Sequence, residues 1–124
     1  MKTRIHIRRV YDAPTPEEGY RVFVDRLWPR GISREAFTFD LWCKDLAPTP
    51  ALRTWFGHKV EHWDQFRAQY EQELRTPEQQ ARMLELASKA GREPITLIYG
   101  AKDREHNHAL ILAAEMNRVL QHRR

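Results

Sequence analysis

Two short runs constrain this chain more than anything else in it: Tyr20-Arg21-Val22-Phe23-Val24-Asp25 and Ile95-Thr96-Leu97-Ile98-Tyr99. Both are apolar through their centres, β-branched, and lacking the alternation of a half-exposed strand. They are also too short to be buried helices. Runs of this kind belong to strands covered on both faces, as in a parallel sheet with a layer packed against each side. Residues 5–10, Ile5-His6-Ile7-Arg8-Arg9-Val10, show partial alternation and read as a further strand. Only about ten residues separate it from the next, near the shortest crossover a parallel pair allows, so a hairpin stays open as the alternative.

The helices are marked by their ends. Thr76-Pro77-Glu78-Gln79 supplies a cap, a proline at the first helical position and a glutamine where a capping box needs one; Met83, Leu84, Ala87 and Ala90 follow at helical spacing, and Gly91 stops the run. Val60, Trp63, Phe66, Tyr70 and Leu74 form one apolar helical face, as do Ala109, Leu112, Ala113, Met116 and Leu120. Thr49-Pro50 opens a short helix that Gly57 closes. Residues 33–48 are ambiguous: Phe37, Phe39 and Leu41 alternate, while Leu41, Trp42 and Leu46 suggest a helical turn. The expected architecture is α/β, one compact domain over residues 1–124, with a small, mostly parallel sheet packed with helices.

Charge and cysteine usage narrow the class of function. With 21 basic and 17 acidic side chains, the net charge of +4 favours anionic partners, but it does not form the concentrated basic stripe of a dedicated nucleic-acid binder. The one cysteine, Cys43, fits a reducing compartment. Residues 1–6 hold no signal-peptide core and no run is long enough to span a bilayer, so a cytoplasmic protein away from membranes is expected.

The chemistry concentrates where two strands end. After Val24 the apolar run gives way to Asp25-Arg26-Leu27-Trp28-Pro29-Arg30-Gly31. Ligands of open α/β sheets bind beyond the carboxyl ends of strands, and an aspartate there can orient an arginine fork toward an oxyanion. The plain structural alternative is an Asp–Arg pair with Trp28 packed over it. The strand at 95–99 repeats the pattern with Gly100-Ala101-Lys102-Asp103-Arg104-Glu105-His106-Asn107-His108. Free backbone N–H groups at the start of the last helix, beside Lys102, suit an anion, and the His106 imidazole is of a type suited to proton transfer. Here the plain alternative is that Asp103 and Asn107 cap and the histidines are solvated. Two such ends together favour a shared pocket. Asp25, Tyr99 and His106 are its candidate catalytic groups, and Arg26, Trp28, Arg30, Lys102 and Asn107 its candidate ligand-binding groups.

The stretch Arg21–Gly31 resembles the signature of the YeaO-like proteins, an uncharacterised bacterial and archaeal family, and Tyr99–Ala109 resembles that family's second motif. Trp42, Lys44, the segment Ala47–Phe56, and Phe66, Tyr70, Glu73 and Leu74 are similar to its middle, so the resemblance covers nearly the whole chain. It implies a single compact α/β domain and brings no established reaction.

Two other signals carry less. His58-Lys59-Val60-Glu61-His62 matches an inverted zinc-peptidase pattern, which a histidine-rich chain meets easily by chance. Cys43 lacks a partner cysteine, and beside Trp42 it reads as a small buried hydrophobe. No metal or cofactor is expected. The preferred partner is an anionic small molecule. A nucleic-acid-binding or regulatory module, and a structural protein built on an ion-pair network, are the alternatives.

Overall fold

The computed structural model describes residues 5–122. The first four residues, on which the reading of the amino terminus partly rests, and the last two lie outside them. Four strands form one sheet: β1 (Ile5–Arg9), β2 (Tyr20–Phe23), β3 (Leu41–Trp42) and β4 (Ile95–Tyr99), in the order β1-β4-β2-β3. Every neighbouring pair is parallel. The hairpin alternative for the first two strands is therefore excluded, and β4 lies between them. Its register sets Ile95 opposite both Ile5 and Tyr20, and Leu97 opposite both Ile7 and Val22.

All five residues of β4 are buried, which accounts for its unbroken apolar run. Alternate residues serve two different cores. Val22, Val24, Ile95, Leu97 and Tyr99 face the helices, joining Leu52, Phe56, Phe66, Tyr70, Leu74, Met83 and Leu112. Val10, Phe23 and Ile98 face the other way, onto Phe37, Trp28, Ile32, Phe39 and Trp42. The two faces are thus covered by unlike layers. Four helices pack on one: α1 (Pro50–Phe56), α2 (Trp63–Leu74), α3 (Pro77–Ala90) and α4 (His108–His122). The other is covered by the β2–β3 connection itself, which turns aromatic side chains inward; Phe23 meets Phe37 edge-on at 5.1 Å and Trp42 at 5.4 Å. Such ring pairs add roughly 0.5–1.5 kcal/mol each beyond the area they bury. That connection could not be classified from periodicity because its alternation, Phe37, Phe39 and then Leu41, serves a nearly strandless layer.

The helix ends follow their sequence signals. The Thr49 hydroxyl accepts the Leu52 N–H at 3.3 Å, and the Thr76 hydroxyl accepts the Gln79 N–H at 3.3 Å. Gln79 does not complete the capping box; its amide donates to the Asp45 carbonyl at 2.7 Å and ties α3 to the segment after β3. The α2 pattern begins as a 3₁₀ turn, Val60–His62, before continuing as α-helix.

Candidate functional site

The chain leaves β2 and β4, which are neighbours, in opposite directions. After β2 it enters the aromatic layer through Trp28 and Ile32; after β4 it passes to α4 on the helical face. In open α/β sheets, ligands bind where connections diverge in this way at the carboxyl ends of the strands. Asp25 stands at that point. Its backbone carbonyl accepts the Trp42 indole N–H at 2.7 Å, which fixes the main chain. Its Oδ2 accepts the Gly100 N–H at 2.9 Å, joining the two strand ends directly. A Cβ on residue 100 would stand 3.0 Å from that same oxygen, so the close approach depends on glycine.

The second Asp25 oxygen, Oδ1, is buried without a well-aligned hydrogen-bond donor; His108 Nε2 lies 3.2 Å away. The same nitrogen lies 3.1 Å from the Val24 carbonyl. Two acceptors converge on it, so we assign the proton to Nε2. His108 is placed there by Asn107, whose Oδ1 accepts the Leu110 N–H at 3.1 Å and whose amide donates to the Asp103 carbonyl at 3.0 Å. Asn107 caps α4, and the first residue after the cap points back toward the strand ends. The Tyr70 ring packs edge-on against His108 at 6.2 Å, with its hydroxyl donating to the Leu46 carbonyl at 2.5 Å.

Burial pushes the Asp25 carboxyl above its ordinary value; the His108 charge, the Gly100 N–H and the charges of Arg53 and His58 oppose this without overcoming it. His58 is also the one non-glycine residue with positive φ among those described, at 59°, directly after Gly57 at 53°. This costly left-handed pair closes α1. It also removes the helical i, i+4 arrangement that a zinc-binding His58–His62 pair requires; the His62 ring instead stacks on Trp55 at 4.3 Å. Burial raises the Cys43 thiol and raises the Tyr70 hydroxyl well above its usual range, so both stay protonated at neutral pH.

The structure distributes the candidates read from the sequence over several places. Asp25 is joined to the segment after β4 through Gly100 and His108, whereas the expected pocket draws on Lys102 and Asn107. Arg26 is half-buried beside it, with Nε donating to the Pro48 carbonyl at 3.0 Å. Lys102 is exposed, with no ion pair among the described residues. His106 and Asn107 serve their own loop: His106 Nδ1 lies 2.9 Å from Asp103 Oδ2, and its ring meets Trp63 edge-on at 5.2 Å. Trp28 and Arg30 belong to the aromatic layer. The Trp28 indole donates to the Ile32 carbonyl at 2.6 Å beneath the Arg34 guanidinium, and the Arg30 carbonyl accepts the Tyr11 hydroxyl at 2.9 Å. Tyr99 turns toward Arg9, Asp12 and Arg104 at the β1 side. Sequence reasoning missed His108 as the neighbour of Asp25 and Tyr70 as the ring packed on His108. For His108 a signal existed, since the residue following an Asn cap stands at the mouth of the strand ends.

The family model described as the inactive DUF488-N3 subclade matches residues 4–124. The chain is 44% identical over 109 residues to the uncharacterised protein YeaO of Escherichia coli, covering 88% of this chain and 93% of that one. It is 37% identical over 116 residues to an uncharacterised protein of Mycobacterium tuberculosis, covering 94% and 96%. No solved structure matches. The sequence motifs, the parallel α/β fold and these full-length relatives agree: the chain belongs to the YeaO-like proteins, within the inactive DUF488-N3 subclade.

Proposed function

We propose that the protein binds a small anionic molecule in the crevice between the ends of β2 and β4, as a cytoplasmic binding protein rather than a catalyst. The observation that carries this reading is the divergence of the two connections to opposite faces around Asp25, whose carboxylate accepts the Gly100 N–H and lies beside His108. The Asp25 carboxylate is largely withdrawn from water and engaged with Gly100 and His108, which makes it an organiser of the crevice. Arg26, Arg53 and Lys102 are the cations that would meet the ligand. The word "inactive" in the description of the subclade supports binding over turnover.

The test is thermal-shift and calorimetric titration with phosphate, sulfate and nucleotides. Arg53 and Lys102 are exposed, so Arg53→Ala and Lys102→Ala retain the fold. Loss of one charge-assisted contact weakens binding by about tenfold. Wild type and both variants responding identically to every ligand would overturn the reading.

A further inference from the structure

A separate groove of about 540 Å³ runs along β1, well within the range that holds a small ligand. Its residues come from both faces of the strand and from the turn that follows. None of the residues that hold Asp25 lines it.

Of the three carboxylates lining this groove, Glu18 and Asp12 are engaged, and Glu17 is exposed. Glu18 is buried and paired with Arg8 and with Arg21. Asp12 takes both arms of Arg104, at 2.6 and 2.8 Å. Donors are left over. Arg9 Nε donates to the Ala101 carbonyl at 2.9 Å, and the guanidinium lies 4.5 Å over the Tyr11 ring, so the fork is fixed at its base and on its face. Its two terminal nitrogens have no partner among the described residues. Arg9 pairs in register with Tyr99, so their side chains emerge on the same face. The Tyr99 ring is buried, yet its hydroxyl has no hydrogen-bond partner among the described residues, and the residue lines the groove. A pre-held guanidinium and a phenolic O–H side by side form a complementary set of donors for one oxyanion.

We propose that this groove is a second binding site, for a small molecule whose carboxylate or phosphate group is held by Arg9 and Tyr99. Arg104 stands beside them with its own charge engaged by Asp12, and Ile7 and Ala13 supply apolar wall for the rest of the ligand. Arg9, held at both base and face, loses little freedom on binding.

The experiment is titration of the whole protein with inorganic phosphate in one arm and succinate in the other, followed by amide NMR. The expected result is saturable shifts at Arg9, Asp12, Tyr99 and Arg104 in at least one arm, and the responding arm names the group. Tyr99→Phe keeps the buried ring and weakens that binding about tenfold; Arg9→Gln abolishes it. Lys102→Ala leaves it unchanged, which separates this site from the crevice at Asp25. Absence of shifts in both arms, shifts confined to Gly100–His108, or variants that titrate like wild type while keeping the native spectrum would each overturn the proposal.

Discussion

Asp25 and Glu115 are both carboxylates withdrawn from water, and their surroundings treat them oppositely. Burial alone would raise the Glu115 carboxyl on α4, but Arg75 at 2.8 Å and Arg118 at 3.0 Å outweigh it and hold the group below its ordinary value. Asp25 receives one backbone N–H and one imidazole, and burial wins. Glu18 resembles Glu115, with two guanidinium partners of its own. Fully paired carboxylates hold this fold together, and the under-paired one marks the place where strand ends diverge. Groups whose titration is pushed by burial in a cleft are where ligand chemistry concentrates.

The largest effect in this comparison is expected from Glu18→Gln. Arg8 is only 10% exposed, so removing the charge strands a guanidinium inside the protein. Breaking a buried pair in this way costs about 3–5 kcal/mol, read as a lower midpoint in urea unfolding. Glu115→Gln is expected to cost about 1–2 kcal/mol, because Arg75 and Arg118, 49% and 39% exposed, recover water when their partner goes. Its effect also depends on pH. A carboxyl held below its ordinary 4.5 contributes stability above that value and loses it as pH falls through the native one. The variant therefore differs from wild type at neutral pH and converges on it in acid.

Asp25→Asn is expected to cost about 1 kcal/mol: the amide oxygen still accepts the Gly100 N–H and a poorly compensated charge is removed, while the amide NH2 now faces the His108 Nε2–H. Its pH dependence runs the other way. A carboxyl raised above its ordinary 3.8 is protonated more readily folded than unfolded, so its contribution falls as pH rises from that value through the native one. The variant should gain on wild type over that interval. If urea midpoints of the Asp25 and Glu115 variants show the same pH slope relative to wild type, the contrast between the two carboxylates fails.

The parallel sheet was readable because β4 is short, continuous and β-branched, a combination that only a strand covered on both faces produces. Asp25 and Gly100 were readable for a related reason: strand ends are where apolar runs break. What covered the second face was not readable, since Trp28, Ile32, Phe37 and Phe39 pack without helical period or hydrogen-bonded ladder. Nor was the division of Tyr99 from Asp25. Tyr99 ends a strand adjacent to the one before Asp25, yet its hydroxyl lies at the β1 side, and strand order alone decides which side that is. His58 leaves the helical pattern by a backbone conformation that a histidine rarely adopts, and periodicity carries no trace of it.

The placement of β4 bears on how the chain acquires its shape during synthesis. β1 and β2 are made early but never touch as a pair; each hydrogen-bonds to Ile95–Tyr99. Until that segment leaves the ribosome, the two-residue ladder between β2 and β3 is the only sheet pairing of the described residues that can form. Closing the sheet then inserts a late strand into a waiting slot, a distant pairing of the kind that folds slowly. The nascent chain meanwhile carries two apolar strands with open edges. Ribosome-stalled fragments ending before Ile95 should accordingly be open to proteolysis across β1 and β2, with protection arriving once β4 has emerged.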